Sequence, residues 1–542
     1  MKHAYKGILS LAFSVSAIVL SAQPAIEWGK RYNAPPDMAD EALDIAVDAA
    51  GNVYVTGSSF NSAGNLDGCT IKYDANGNQM WVRNYDRGVS GNDLTKAIEL
   101  DAAGNVYVTG FSTGATSSGD LLVVKYDNAG TQQWAAFYND PDNGMDEGRS
   151  LAVDGSGNVF ACGYSSDSAF AFDALTVCFN SAGTQQWAQV YDGPISGNDE
   201  LLDLVIDASS NVYVTGNSAQ QAFNWDILTI KYNSAGTQQW LQTHGSTADG
   251  DYGKAITLDP NGNVLVGAQS GQASTNNWFD YLAVKYTSAG VYQWDARYNN
   301  GTNRYEDLWE ICADNAGYVY VTGQSQAVGN NSTPPDCATV KYTPAGNQVW
   351  VKRYDGGFNN SDDKAFAMVL DDTANVYIAG YSKNASNTDY ITVKYDSSGA
   401  QEFVLRYNSQ YNGDEQINAI AVQNGNIYVT GRSANAANED YMTIKYSYAA
   451  VGVAENVQPD KLISVYPNPT SDVLHLNIPE NTDLNSQVQL HDLSGRLVMS
   501  FTLSTLVSSQ QINIAELAEG TYTLSHIGAD GQLISSQRIV KN

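Results

Sequence analysis

Two sets of carboxylates recur along this chain at matched intervals, and clustered oxygen ligands are what a hard cation such as Ca²⁺ takes. The first set is Asp40, Asp93, Asp146, Asp199, Asp251, Glu306, Asp363 and Glu415, each placed just before an apolar run. Converging near one mouth of the fold, these eight are a candidate Ca²⁺ site, although no EF-hand-like loop accompanies them. Hydrogen bonds that brace a loop are the blander account. The second set, Asp67, Asp120, Asp173, Asp226, Asp280, Asp336, Asp389 and Asp440, closes loops that open on Ser59, Ser112, Ser165, Ser218, Ser270, Ser325, Ser382 and Ser433. A hydroxyl and a carboxylate at the two mouths of a loop satisfy backbone N–H groups that no ladder reaches. That structural role fits a pair written eight times, because a catalytic residue has no reason to repeat.

Residues that do not repeat are more informative. After the first 22 positions the repeats hold one histidine, His244, where seven other copies carry Tyr, so a His-based zinc site or a Ser-His-Asp triad has no residues to build on. The loops of the third to fifth copies carry Phe170, Phe172, Phe223, Trp225, Trp278 and Phe279, where the other copies are mostly small and polar. On adjoining sectors these rings form a candidate platform for sugar rings or a protein partner. The alternative is a satellite core folded under the loops. Cys162 and Cys178 fall on neighbouring strands of one copy and are candidates for a disulfide, against which stands the poor geometry of directly opposed strand positions.

The elements that position these residues come from one repeated unit. "NVYVTG" at 52–57 returns in altered form through 426–431, and an aromatic recurs about 53 residues apart as Trp28, Trp81, Trp134, Trp187, Trp240, Trp294, Trp350 and Phe403. Four short strands per period, with no helical periodicity between them, are the mark of propeller blades rather than of a solenoid. The expectation is an all-β chain with an eight-bladed β-propeller over 23–447. Trp28 to Asn33 then supplies the outer strand of the last blade, since "TIKYS" at 443–447 has no Trp strand after it. Both tight turns of each unit fall on one face and the long loops on the other, so function belongs to the long-loop face.

These repeats resemble the SBBP-type β-propeller repeats of bacterial exported proteins, whose "DxxGNVYVTG", Trp and acidic "GD" features are visible in the copies. That family is usually seven-bladed, which is the alternative to the count of eight. "KYDANGNQMW" at 72–81 is similar to the Trp-docking turn of eight-bladed quinoprotein dehydrogenases, but the adjacent Cys-Cys pair of those enzymes is absent. A linker is expected at 448–461. Beyond it, "VYPNPTSD" (Tyr466, Pro467, Asn468, Pro469), "LHDLSGRLV" (Gly495, Arg496) and "GTYTL" (Gly520, Tyr522) resemble the C-terminal sorting domain of the type IX secretion system, over 462–542. The resemblance implies a small Ig-like β-sandwich, the type IX machinery as partner, and a protein released from or displayed at the outer cell surface.

The first residues, with Lys2 and Lys6 before an apolar run and then Ser21-Ala22, have the layout of a secretory signal peptide over 1–22. No later apolar run is long enough for a transmembrane helix. A net charge of −30, with 28 basic against 58 acidic residues, excludes nucleic acid and anionic lipid as partners. The expected function is a non-catalytic propeller that binds a glycan or a protein on its long-loop face, with no cofactor expected apart from the candidate Ca²⁺. The rivals are a secreted polysaccharide-degrading enzyme, glycosidase or lyase, using two unrepeated carboxylates about 5–10 Å apart, and a purely structural surface protein.

Overall fold

The computed structural model describes residues 23–448, apart from 89, 167–170, 196, 222–223, 246–249, 272–277, 302–304, 327–333 and 358–360, and residues 463–541, apart from 467–469, 471, 479–485, 493–496, 504–508, 519 and 528–532. The expected signal peptide and almost all of the expected linker lie outside the described residues. The chain divides into two compact units, one of which is Gln23–Ser447 while the other contains Tyr448–Asn542. The described elements are all β-strands, and none is a helix.

In the first unit the described residues form eight four-stranded antiparallel sheets, an arrangement consistent with a β-propeller. Sheets 1 to 7 span 40–85, 93–138, 146–191, 200–244, 251–298, 306–354 and 363–407 in simple up-and-down order. Sheet 8 takes Glu415–Gln423, Asn426–Ala434 and Glu439–Tyr448, and its outer strand is Pro24–Tyr32 from the start of the unit. The first strand of each sheet packs on that of the next, and Glu415–Gln423 of sheet 8 packs on Asp40–Val47 of sheet 1, so the innermost strands close a ring. Each core therefore lies between two sheets: Tyr54 and Trp81 of sheet 1, for example, cluster with Val106, Val108, Leu122 and Val124 of sheet 2.

The sequence enforces this spacing through its turns. In "DAAGN", Asp48 accepts the backbone N–H groups of Ala50 and Asn52, at 3.0 and 2.9 Å, while Gly51 takes φ +81°, which L side chains rarely adopt. The second turn receives the tryptophan of the preceding sheet. Trp81 lies on Gly130, where a Cβ would stand 2.7 Å from the indole, and its Nε1 donates to Asn128 O at 3.1 Å. Trp28, Trp134, Trp187, Trp240 and Trp294 make the same bond to the next sheet at 3.0–3.1 Å. Trp350 lies on Gly399 without it: its Nε1 is buried and lacks an acceptor, while Ser397 O accepts Lys341 Nζ. The eighth aromatic is Phe403: the third strand of sheet 8 ends the unit, so no such turn follows to offer a carbonyl.

All five cysteines are free. Cys162 stands opposite Thr176, and Cys178 opposite Phe160, so the two thiols are staggered by two residues across their strands and do not form the expected bond.

The second unit contains a sheet of Ser464–Tyr466, Val473–Asn477 and Ser509–Asn513. A second sheet runs in the order Leu497–Thr502, Gln487–Asp492, Gly520–Ile527, Leu533–Lys541. Their core includes Leu474, Leu476 and Ile512 from the first sheet and Val488, Leu524 and Ile539 from the second.

The indole contact makes a direct prediction. Trp187→Phe keeps most of the buried ring and loses the 3.0 Å bond to Ser234 O, so urea unfolding should show a loss of about 1 kcal/mol. Trp187→Ala should cost roughly 3–5 kcal/mol; equal stability of all three proteins would show that the contact holds nothing.

Candidate functional site

The first acidic set is buried, and each member is tied to its own loop. Asp40 accepts Ala34 N at 2.7 Å, Asp199 accepts Gly193 N at 2.8 Å and Glu415 accepts Ser409 N at 3.0 Å. Their strand partners are the loop-opening serines: Asp40 faces Ser59, Asp93 faces Ser112, Asp146 faces Ser165, and Asp251, Glu306, Asp363 and Glu415 follow suit. The geometry does not gather the eight into one donor set. Among the described residues the acid groups close enough to share a cation are Asp173–Asp192–Asp199 and Asp336–Asp355–Asp363, each containing one member of the set. Arg353 already sits 2.9 Å from Asp336. In the other group Val190 occupies the matching position, and both oxygens of Asp199 already accept backbone N–H groups.

That arginine belongs to a motif present in only half of the repeats. Arg31, Arg297, Arg353 and Arg406 precede the Tyr that ends the outer strand of sheets 8, 5, 6 and 7. Each binds both mouths of its loop, as Arg297 does with Asp280 at 2.9 Å and Ser270 Oγ at 2.6 Å. Sheets 1 to 4 have Asn84, Phe137, Val190 and Thr243 at this place. In sheet 2, Arg87 comes in from the preceding loop to reach Asp120 and covers the Phe137 ring at 3.9 Å.

Of the six loop aromatics, Phe170 and Phe223 lie outside the described residues. Phe172, Trp225 and Phe279 occupy one structural position in three successive sheets, the start of the third strand, and all are half-buried. Two tyrosines within or beside strands bridge them. Trp225 stacks on Tyr252 of sheet 5 at 5.9 Å, Tyr252 meets Phe279 edge-on at 5.7 Å, and Phe279 meets Tyr305 of sheet 6 at 5.8 Å. Phe172 packs at 4.3 Å on Tyr164 of its own sheet. Half-buried Trp278 keeps a buried indole N–H without an acceptor.

Trp309 adds to this sector from the inner strand of sheet 6. It is 38% exposed, lies 5.3 Å from Phe366 of sheet 7 and has Lys254 of sheet 5 over its ring at 5.5 Å. Every inner strand carries a bulge at the equivalent position, between Leu308 and Glu310 in sheet 6, which releases the side chain from the ladder. The signal for Tyr252, Tyr305 and Trp309 was there to be read: each is aromatic where most other copies carry a charged, amide or aliphatic residue. Of the ten tryptophans, the three that do not dock between sheets, Trp225, Trp278 and Trp309, all fall in sheets 4 to 6 or their loops.

In the second unit, Tyr466 stacks on His475 at 5.1 Å, Gly520 begins a strand, and buried Tyr522 donates to Ala518 O at 2.7 Å. Pro467, Asn468, Pro469, Gly495 and Arg496 lie outside the described residues. Residues 464–542 match the secretion system C-terminal sorting domain, which implies export by the type IX system to the cell surface or the medium. The chain is also similar to an uncharacterised WD repeat-containing protein of Acanthamoeba polyphaga mimivirus, 22% identical over 476 residues that cover 73% of this chain. It spans 30% of that relative's length. Among solved structures, the β-propeller domain of the Trilobed protease from Pyrococcus furiosus aligns with a TM-score of 0.38 and 7% identity, over 66% of this chain and 97% of that one. A polysaccharide lyase aligns with a TM-score of 0.42 and 9% identity, over 65% and 89%. No described helix is long and apolar enough to cross a membrane.

Burial sets opposed pH responses in the carboxyls. Burial pushes Asp146 and Asp363 up to about 6, and burial with the nearby Asp280 carboxylate pushes Glu306 up to about 8. On the inner strands, Asp44 is pushed up to about 7 by burial, and Glu310 to about 8 by burial and then by Asp203. Turn residues such as Asp48 go down instead, because the bonds from Asn52 and Tyr54 outweigh burial. A raised carboxyl adds stability below its unfolded value, and that stability is lost as pH rises through the folded value; a lowered one adds stability that is lost on acidification. The thermal midpoint should therefore peak at roughly pH 5 and decline toward pH 8. Glu306→Gln should flatten part of the decline between pH 5 and 8; a wild-type profile level across that range would contradict this account.

Proposed function

We propose that the first unit is an eight-bladed propeller of the SBBP type that binds a glycan on its long-loop face and has no catalytic step of its own. In this reading residues 1–22 are a signal peptide, 23–447 the propeller, 448–461 a linker, and 462–542 an Ig-like sorting domain that delivers the protein through the type IX machinery. The blade count is supported by eight sheets whose inner strands close a ring, with the last sheet completed by Pro24–Tyr32.

The observation that carries the binding reading is the line of half-buried rings Trp225, Tyr252, Phe279 and Tyr305 across three successive sheets. An aromatic face offers the C–H side of a sugar a flat apolar surface, while carboxylates and amides at its edge offer hydrogen bonds. Glu200, Asn217 and Gln269 supply such groups beside it. The acids of the first set are committed to loop hydrogen bonds, which favours binding over hydrolysis.

A glycan array probed with the full chain should give a discrete set of bound sugars. Trp225→Ala or Phe279→Ala should weaken binding about tenfold or more at an unchanged melting temperature. A blank array would remove the glycan reading, and release of shorter sugars from a bound polymer would overturn the non-catalytic one.

A further inference from the structure

The second strand of each sheet offers one side chain just after its "TG" or equivalent pair. In sheets 4, 5 and 6 this residue is an amide, Asn217, Gln269 and Gln324, standing opposite Glu200, Tyr252 and Asp307. The other sheets have Ser58, Phe111, Tyr164, Tyr381 and Arg432 there. Three amides in a row thus coincide with the sheets that carry Trp225, Phe279 and Trp309.

All three amides are more than nine-tenths buried. Asn217 Nδ2 donates to Glu200 Oε1 at 3.1 Å, which fixes the amide's orientation because a carboxylate needs a donor, and Oδ1 is left buried with no partner. Gln269 Nε2 donates to the Tyr305 hydroxyl at 3.3 Å, so the middle amide faces the aromatic line. Gln324 Oε1 is likewise buried and unpartnered. Folded proteins seldom leave such oxygens unpaired, and a ligand donor is one explanation.

Resting on the glycan reading, we propose that this sector of sheets 4 to 6 takes neutral, hydroxyl-rich sugars rather than acidic ones. A hydroxyl donates to the Asn217 and Gln324 oxygens and also accepts from the Trp278 indole, which no ammonium group can do. A uronate or sulfate brings further acceptors to a place that already has too many, in a chain of net charge −30. Two nearby lysines are neutralised locally: Lys254 of sheet 5 stands 4.0 Å from Asp307, and Lys364 of sheet 7 stands 3.6 Å from Asp362.

The test is calorimetric titration of the full chain with cellohexaose and mannohexaose, a glucosamine hexamer and a galacturonate hexamer. A neutral hexamer should bind at least tenfold tighter than the galacturonate. Asn217→Ala and Gln324→Ala should each weaken it about threefold to tenfold, and Gln324→Glu, which retains an acceptor, should stay within threefold of wild type. Should Gln324→Ala fail to fold, Asn217→Ala and Gln324→Glu carry the comparison. Preference for the galacturonate or glucosamine hexamer, still abolished by Trp225→Ala, would overturn the neutral-sugar inference and leave the glycan reading standing. Indifference of neutral binding to both alanine variants would overturn it too, and failure of every hexamer to bind would remove the glycan reading itself.

Discussion

An indole laid on a glycine of the next sheet is the contact on which the first unit depends. It joins two sequence features that lie about 50 residues apart, the Trp of one outer strand and the glycine of the following tight turn. Any side chain on that glycine would collide with the ring, and its φ near +80° already disfavours one. The requirement is local, but repeated around the circle it fixes how every sheet meets its neighbour. It also explains the exception: the outer strand of sheet 7 faces a sheet with no such turn and carries Phe403, a ring without an N–H to satisfy.

With packing set by repetition, variation is confined to places that the contact does not govern. One is the loop pair at the far end of each sheet, braced by arginine in sheets 5 to 8 and differently in sheets 1 to 4. The other is the bulged residue of each inner strand, where Leu43, Lys96, Arg149 and Trp309 can replace one another because the ladder passes them by. The aromatic sector uses both kinds of position, drawing Trp225 and Phe279 from loop mouths and Trp309 from a bulge.

Most of the fold could be read from the sequence because its signals repeat. The strands, the two turns and the return of Trp28 into the final sheet followed from the spacing of "NVYVTG" and Trp. The site was only partly legible. Phe172, Trp225 and Phe279 stood out against polar loops, whereas Tyr252 and Trp309 lie inside strands, where an aromatic reads as core until the bulge is seen. Between convergence of the eight acids and the bracing of their own loops the sequence left both readings open, because equal spacing says nothing about which way a side chain turns. The cysteine pair stayed open in the sequence, and two residues of register, which sequence does not display, keep the thiols apart.

The pairing of Pro24–Tyr32 with Glu439–Tyr448 has a consequence for assembly. Arg31 and Asp440, 3.0 Å apart when folded, are separated by 409 positions of chain. The strand made first is thus the one that waits longest, with its hydrogen-bonding edge open until the last sheet appears. Seven sheets can stack as they are synthesised, but the circle is complete only when the oldest and youngest segments meet, so the joint between them is formed in a single late step.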